Sequence, residues 1–137
     1  MFGAFDISAS ALSAQRVRLD TISSNIANID AADAGVDANG NHVPYRRLFT
    51  VFEPQATASG GMGVQVKSIQ EDYQTPFVEK DEPWNPLHDA RGKVRYPNVD
   101  LFFESTNALE ATRAYESNVT AIETTKSMLS ATLRVLA

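Results

Sequence analysis

Groups capable of chemistry are few in this chain, and their spacing is unhelpful to catalysis. The two histidines, His42 and His88, lie in turn-rich segments, and neither has a second histidine at helical spacing with which to hold a metal on one face. Asp37, Asn39 and Asn41 alternate in the manner of a calcium loop, but His42 stands where that loop needs glycine, and no bidentate glutamate closes it. The Gly-Gly-Met-Gly run at 60–63 is too short for a dinucleotide fingerprint and lacks the Lys-Ser/Thr of a phosphate loop. It reads as a turn before a strand. Acidic residues cluster at Glu71 and Asp72 and at Glu79, Asp81 and Glu82, yet neighbours on a strand point apart, and Lys80 among them marks a solvated, mixed-charge arm. Asn118-Val119-Thr120 matches a glycosylation sequon of low specificity. Trp84, between Pro83 and Pro86, reads equally as a binding anchor or as the plug of a small core. These patterns predict no catalytic residue, no metal site and no cofactor.

Composition narrows the classes further. A chain of 137 residues is the size of one domain, and 43% hydrophobic residues are enough to bury a core. Its net charge of −5 is the opposite of a nucleic-acid footprint and is spread along the chain, so no nucleic-acid partner is expected. There is no cysteine, which removes disulfides and thiolate chemistry together. The first residues lack both a basic region and an unbroken apolar run, and no stretch approaches the roughly 18 apolar residues that span a bilayer. Neither a cleaved secretory signal nor a membrane span is written here.

The elements carry more information than the polar groups. Near the N-terminus Phe5, Leu12, Leu19 and Ile26 repeat every seven residues, with Ile22 and Ile29 three after the last two, predicting a helix from about Ile7 to Ile29. Residues 31–44 are rich in Asp, Asn and Gly, with a hairpin signal at Asn39-Gly40. Short strands are expected at 45–53 and 62–71. Four of the six prolines then fall in residues 75–100, which predicts a turn-rich arm with at most one more short strand near Lys93 to Tyr96. From Leu101 a second heptad begins: Leu101, Ala108, Tyr115, Ile122, Leu129 and Leu136, joined by Val119 and Leu133. A helix of about 35 residues would span on the order of 50 Å.

The fold class is therefore α+β: an N-terminal helix at 1–30, a β-rich, turn-rich insert at 31–100, and a long C-terminal helix at 101–137. The stripe on the second helix is thin and edged by Thr112, Thr125, Lys126 and Thr132. Such a seam is marginal for a lone pair of helices, which predicts packing between neighbouring copies.

The segment Asp6 to Asn28, with Ser10, Leu12, Leu19, Asn25, Ile26, Ala27 and Asn28, resembles the N-terminal signature of the bacterial flagellar rod, hook and filament family of axial proteins. Pro44 to Arg47, Val94 to Leu101 and Thr112 to Met128 are similar to the basal-body rod members; Tyr96, Pro97, Asn98, Arg113, Tyr115 and Asn118 carry that part. The chain departs from the family's usual Asn or Ala at Ser23 and Ser24, and from its acidic run at Phe102, Phe103, Glu104 and Ser105. The resemblance implies a non-enzymatic subunit of the proximal rod in the periplasm, whose terminal helices form an inner coiled-coil tube with copies of itself and other rod proteins. It also implies export by the flagellar type III apparatus without a cleaved signal, for which Phe2, Phe5 and Ile7 are the candidate residues. Two other classes compete: a soluble coiled-coil adaptor with one folded partner, and a small enzyme built on the insert, which would need a pocket of convergent titratable groups.

Overall fold

The computed structural model describes residues 2–136, and their side chains from Gly3 onward. Eight elements follow in order: α1 (Phe2–Ala27), β1 (Gly35–Val36), β2 (His42–Val43), β3 (Leu48–Ala56), β4 (Met62–Glu71), β5 (Val78–Asp81), β6 (Lys93–Tyr96) and α2 (Leu101–Leu136). The α+β class stands, with both long helices terminal. All strands pair as antiparallel hairpins, β1 with β2, β3 with β4 and β5 with β6.

Local chemistry sets the helix ends. α1 ends at Ala27 instead of Ile29: the Asn28 side chain donates to the Ser24 carbonyl at 2.8 Å, and the Ile29 and Ala31 N–H groups turn to carbonyls three residues back, at Ile26 and Asn28. At the other end α1 begins earlier than the heptad suggested, because its first turns are held by the β3–β4 tip. Asp6 accepts from the Ser59 hydroxyl, and the Ser10 hydroxyl accepts from the Val64 N–H at 3.1 Å. Asp100 caps α2 by accepting the Phe103 N–H at 2.9 Å. Along α2 six threonines, from Thr106 to Thr132, return their hydroxyls to the carbonyl four residues earlier, so they need no water or partner.

Two hairpins are tied off by glycines in the left-handed region. Gly40 (φ 82°) closes the β1–β2 loop, where Asp37 also gathers the N–H groups of Asn39 and Asn41, and Gly60 (φ 83°) closes the tip of β3–β4. A bulge at Val51/Phe52 shifts the β3–β4 register by one residue. The arm at 75–100 holds a second strand that the prolines had seemed to exclude. Pro76, Pro83, Pro86 and Pro97 all lie outside β5 and β6, which leaves Val78–Asp81 free to pair with Lys93–Tyr96.

The two helices pack against each other within one chain, and α1 packs against β3 and β4 as well. The helix pair is antiparallel, since Asn25 meets Glu104 and Arg18 meets Glu110. Ala14 on α1 (3% exposed) and Ala111 on α2 (0%) are both buried. On α2 the covered line runs through Glu104, Ala111, Asn118 and Thr125, beside Ala108, Ile122 and Leu129. The heptad read from leucines and tyrosine is thus turned partly outward. Val119 is half-buried, whereas Tyr115, Leu133 and Leu136 remain exposed. Of the α1 positions, Ile22 is buried, and Phe5, Leu12, Leu19, Ile26 and Ile29 are half-buried.

Gly63 lies against Ser10, where an added Cβ would stand 3.2 Å from the serine Cβ and closer still to its hydroxyl. Gly63→Ala should therefore lift the β3–β4 hairpin from α1 and cost about 1–3 kcal/mol in urea denaturation, the range of overpacked sites. Adding Ser10→Gly should recover part of that loss.

Candidate functional site

The most developed polar site is a joint where α1, the insert and α2 meet. Its centre is Glu104, in the first turn of α2 and with no exposed surface. One carboxylate oxygen accepts from Arg47 Nε at 2.5 Å, and the other accepts from Asn25 Nδ2 at 3.2 Å. Asn25 is equally buried, and its amide answers both backbone groups of Leu48, donating to the carbonyl at 2.8 Å and accepting from the N–H at 2.9 Å. The reason lies in strand pairing. Asp72 donates its N–H to the Arg47 carbonyl, so the next residue, Leu48, turns its own groups away from β4, and a buried edge without partners would be costly. Asn25 stands in for the missing strand. The Tyr45 hydroxyl completes it with a bond to Asn25 Oδ1 at 3.0 Å.

Asn98 performs the same service on the other side. Its Oδ1 accepts the Arg47 N–H at 2.8 Å, while its Nδ2 donates to the carbonyls of Asp72 and Thr75, each at 3.0 Å. Pro97 and Val99 beside it are buried, and the rigid Tyr-Pro-Asn run delivers the amide to this position. Arg47 also lies 3.6 Å from Asp72 and over the ring of Phe103. Hydrogen bonds from Thr75 and from backbone N–H groups, with the Arg47 charge nearby, hold the Asp72 carboxyl below the usual aspartate range despite the opposing effect of burial.

The remaining expected residues divide between this joint and the surface. Tyr96 donates to Glu82 at 3.0 Å, and Asn28 caps α1. Asn118 returns its amide to the Ala114 carbonyl on the half-buried side of α2, while Arg113 and Tyr115 face outward. Phe5 is half-buried and Ile7 touches the Gly61 region, so both pack; the side chain of Phe2 lies outside the described residues. Sequence reasoning missed Glu104 and Arg47 as a pair. The signal available was the seven-residue line Glu104, Ala111, Asn118, Thr125, three residues after the leucine heptad and polar or small throughout.

The groups first considered for catalysis are engaged locally. His42 contacts Asp33 at 2.9 Å and His88 contacts the Asn85 carbonyl at 2.6 Å. Glu79 pairs with Arg91 and Lys93, and Glu71 accepts from the Tyr73 hydroxyl. Among the described residues no group of three His, Asp or Glu could hold a metal ion. A cleft of about 390 Å³ between the β1–β2 and β5–β6 hairpins is lined by charged residues, but its carboxylates Glu79 and Asp89 both face Arg91. Among the described residues no helix is long and apolar enough to cross a membrane.

Comparison with known proteins settles the family. Residues 5–32 match the family model described as flagella basal body rod protein, and residues 90–135 match that of the flagellar basal body rod FlgEFG protein C-terminal region. The flagellar basal-body rod protein FlgC of Bacillus subtilis (strain 168) is 41% identical, covering 98% of this chain and 97% of its own length. The chain belongs to the FlgC family of flagellar basal-body rod proteins. The FlgC of Salmonella typhimurium (strain LT2) is 43% identical over 94% of this chain, and that of Aquifex aeolicus (strain VF5) is 35% identical over 96%. In this FlgC-family chain the two matched segments meet at the joint, Asn25 from the first and Asn98 and Glu104 from the second. Arg47 comes from the stretch between them.

Removing one partner of a buried ion pair leaves a desolvated charge behind. Glu104→Ala should cost about 3–5 kcal/mol in chemical denaturation, and the double variant Glu104→Ala/Arg47→Met should recover much of it. A loss in the double variant equal to the sum of the Glu104→Ala and Arg47→Met losses would show that the pair is not coupled.

Proposed function

We propose that the chain is a structural subunit of the flagellar proximal rod, polymerising with copies of itself and other rod proteins into the shaft that transmits torque across the periplasm. Its family membership supports a place in the basal body, and the observation that carries the polymer reading is the overhang of α2. The register set by Asn25–Glu104 and Arg18–Glu110 takes the last turns of α2 past the start of α1. There Leu133 (59% exposed) and Leu136 (79%) continue the line of Ile122 and Leu129 without a partner in the chain. An apolar stripe on a helix end with nothing to cover it is suited to a neighbouring subunit. In the assembled rod the paired helices form the inner coiled-coil layer, and the seam comprises Leu12, Leu19, Ile22, Ile26, Ile29, Ala108, Tyr115, Val119, Ile122, Leu129, Leu133 and Leu136. The insert faces outward and is locked to both helices by the buried joint, so a load on either is shared. No reaction is assigned to it.

The chain reaches the periplasm through the flagellar export apparatus, with the start of α1 as the segment that is read. Phe5 and Ile7 there are apolar and only partly covered. A variant lacking residues 2–5 should keep a folded insert yet remain in the cytoplasm on fractionation; arrival in the rod at the normal level would move the signal elsewhere. For the polymer, Leu136→Asp is the sharper test. That side chain is exposed in the monomer, so the variant should unfold within about 0.5 kcal/mol of the parent. Swimming should nevertheless be lost, because a charge in a seam that is desolvated on assembly costs several kcal/mol. Normal motility of Leu136→Asp would remove the overhang from the interface.

A further inference from the structure

Trp84 is the single tryptophan of the chain, and 79% of its surface is exposed. It does not sit on a loose loop. Glu82 donates its N–H to the Gly92 carbonyl and accepts the Asn85 N–H on its own, and the Asn85 side chain joins the Glu82 carboxylate to the Leu87 N–H. Asp89 gathers the N–H groups of Lys93 and Arg91 together with the Arg91 guanidinium, and these bonds hold its carboxyl at about 2. Pro83 and Pro86 restrict the backbone on either side. An aromatic ring presented by a rigid loop loses little entropy on docking, which is the character of an interface anchor.

The same chain carries a cavity of matching chemistry. Between the β1–β2 hairpin and the base of β3–β4 lies an open cleft of about 470 Å³, with Pro44, Tyr45 and Leu48 along it and Val36 and Tyr73 at its edges. Val36 is 62% exposed and Tyr73 is 74% exposed, although the Arg46 guanidinium lies over one part of the Tyr73 ring. The volume is in the range that accepts a ring system. Glu71 in the lining accepts the Tyr73 hydroxyl on one carboxylate oxygen and leaves the other for an indole N–H, which seeks a partner when buried. Charge agrees as well. Arg46 lines the cleft, where its guanidinium stacks on the Tyr73 and Phe77 rings and donates to the Asp72 carbonyl, and Asp81 stands three residues before Trp84; among the described residues neither is in an ion pair.

We infer that Trp84 of one copy docks into the Val36–Tyr73 cleft of the next copy. The two surfaces differ, so the contact is heterologous and repeats from copy to copy instead of closing a two-fold dimer. One ring and its cleft bury far less than the roughly 1,200 Å² of a stable complex, so the contact acts inside the assembly and does not dimerise the free chain. The inference rests on the polymer reading and adds a second, outer contact to the helix seam.

The absence of cysteine permits a direct test. Gly35, at the cleft, has open space where a Cβ would stand, and Pro86 is exposed beside Trp84. In basal bodies isolated from cells making the full-length Gly35→Cys/Pro86→Cys chain, a short thiol crosslinker should give dimers and higher multimers, and each single-cysteine chain should give none. Adding Trp84→Ala should reduce the multimers about tenfold or more, as loss of an anchor does. Rods that contain the double-cysteine chain but yield no multimers would overturn the inference while leaving the helix-seam reading intact. If that chain does not enter rods, the parent chain decides: Trp84 fluorescence should be shielded from acrylamide in isolated basal bodies against the monomer, using a background in which the other rod proteins lack tryptophan. Unchanged quenching would overturn the proposal.

Discussion

Glu104 has no surface in contact with water, and a carboxylate so placed is tolerated only if its charge and its lone pairs are answered. Arg47 answers the charge at 2.5 Å and Asn25 takes the second oxygen. From this pair the rest of the architecture follows. Asn25 is fixed on α1, Arg47 on the approach to β3, and Glu104 on α2, so satisfying one buried group sets the position of three elements at once. Asn98 then ties the loop before α2 to the same arginine through its backbone. A purely apolar joint would hold the pieces together equally well, but it would accept several registers. Hydrogen-bonded partners accept one.

The arrangement also accounts for the thin apolar stripe along the helices. The buried positions Ala14 on α1 and Ala111 on α2 are small, and the α2 residues that are covered are mostly small or polar. Leucines and aromatics that would fill the core of an ordinary helical hairpin are left outside: Leu109, Tyr115, Leu133 and Leu136 on α2, and Phe102 and Phe103 at its start. In a protein that remained alone these would be a liability. On the proposed polymer reading they are the surfaces that meet neighbours.

The insert complements this division. Two of its three hairpins are short and the third, β3–β4, lies against α1; each closes on an Asx or glycine turn. Val94, Pro97 and Val99 form a small buried cluster next to the joint, where covalent continuity with α2 helps to order it. The outward features of the insert, Trp84 above all, are thereby carried on a frame whose rigidity comes from the helices.

The sequence by itself determined the order helix, β-rich insert, helix, the extent of α2, the positions of β4 and β6, with β3 expected three residues early, and the family, because periodicity, capping and short motifs are local properties of the text. It did not determine which face of α2 turns inward. Heptad reading ranks residues by hydrophobicity, and it therefore selected Tyr115, Leu133 and Leu136 over Ala111 and Asn118; the face that is covered is set by the register with α1, which only the tertiary pairing reveals. Nor could it join Glu104 to Arg47 and Asn25, which are separated by 57 and 79 residues. Each alone reads as a surface polar group. Burial changes their meaning, and burial is decided when strand edge, helix start and helix end arrive at one place.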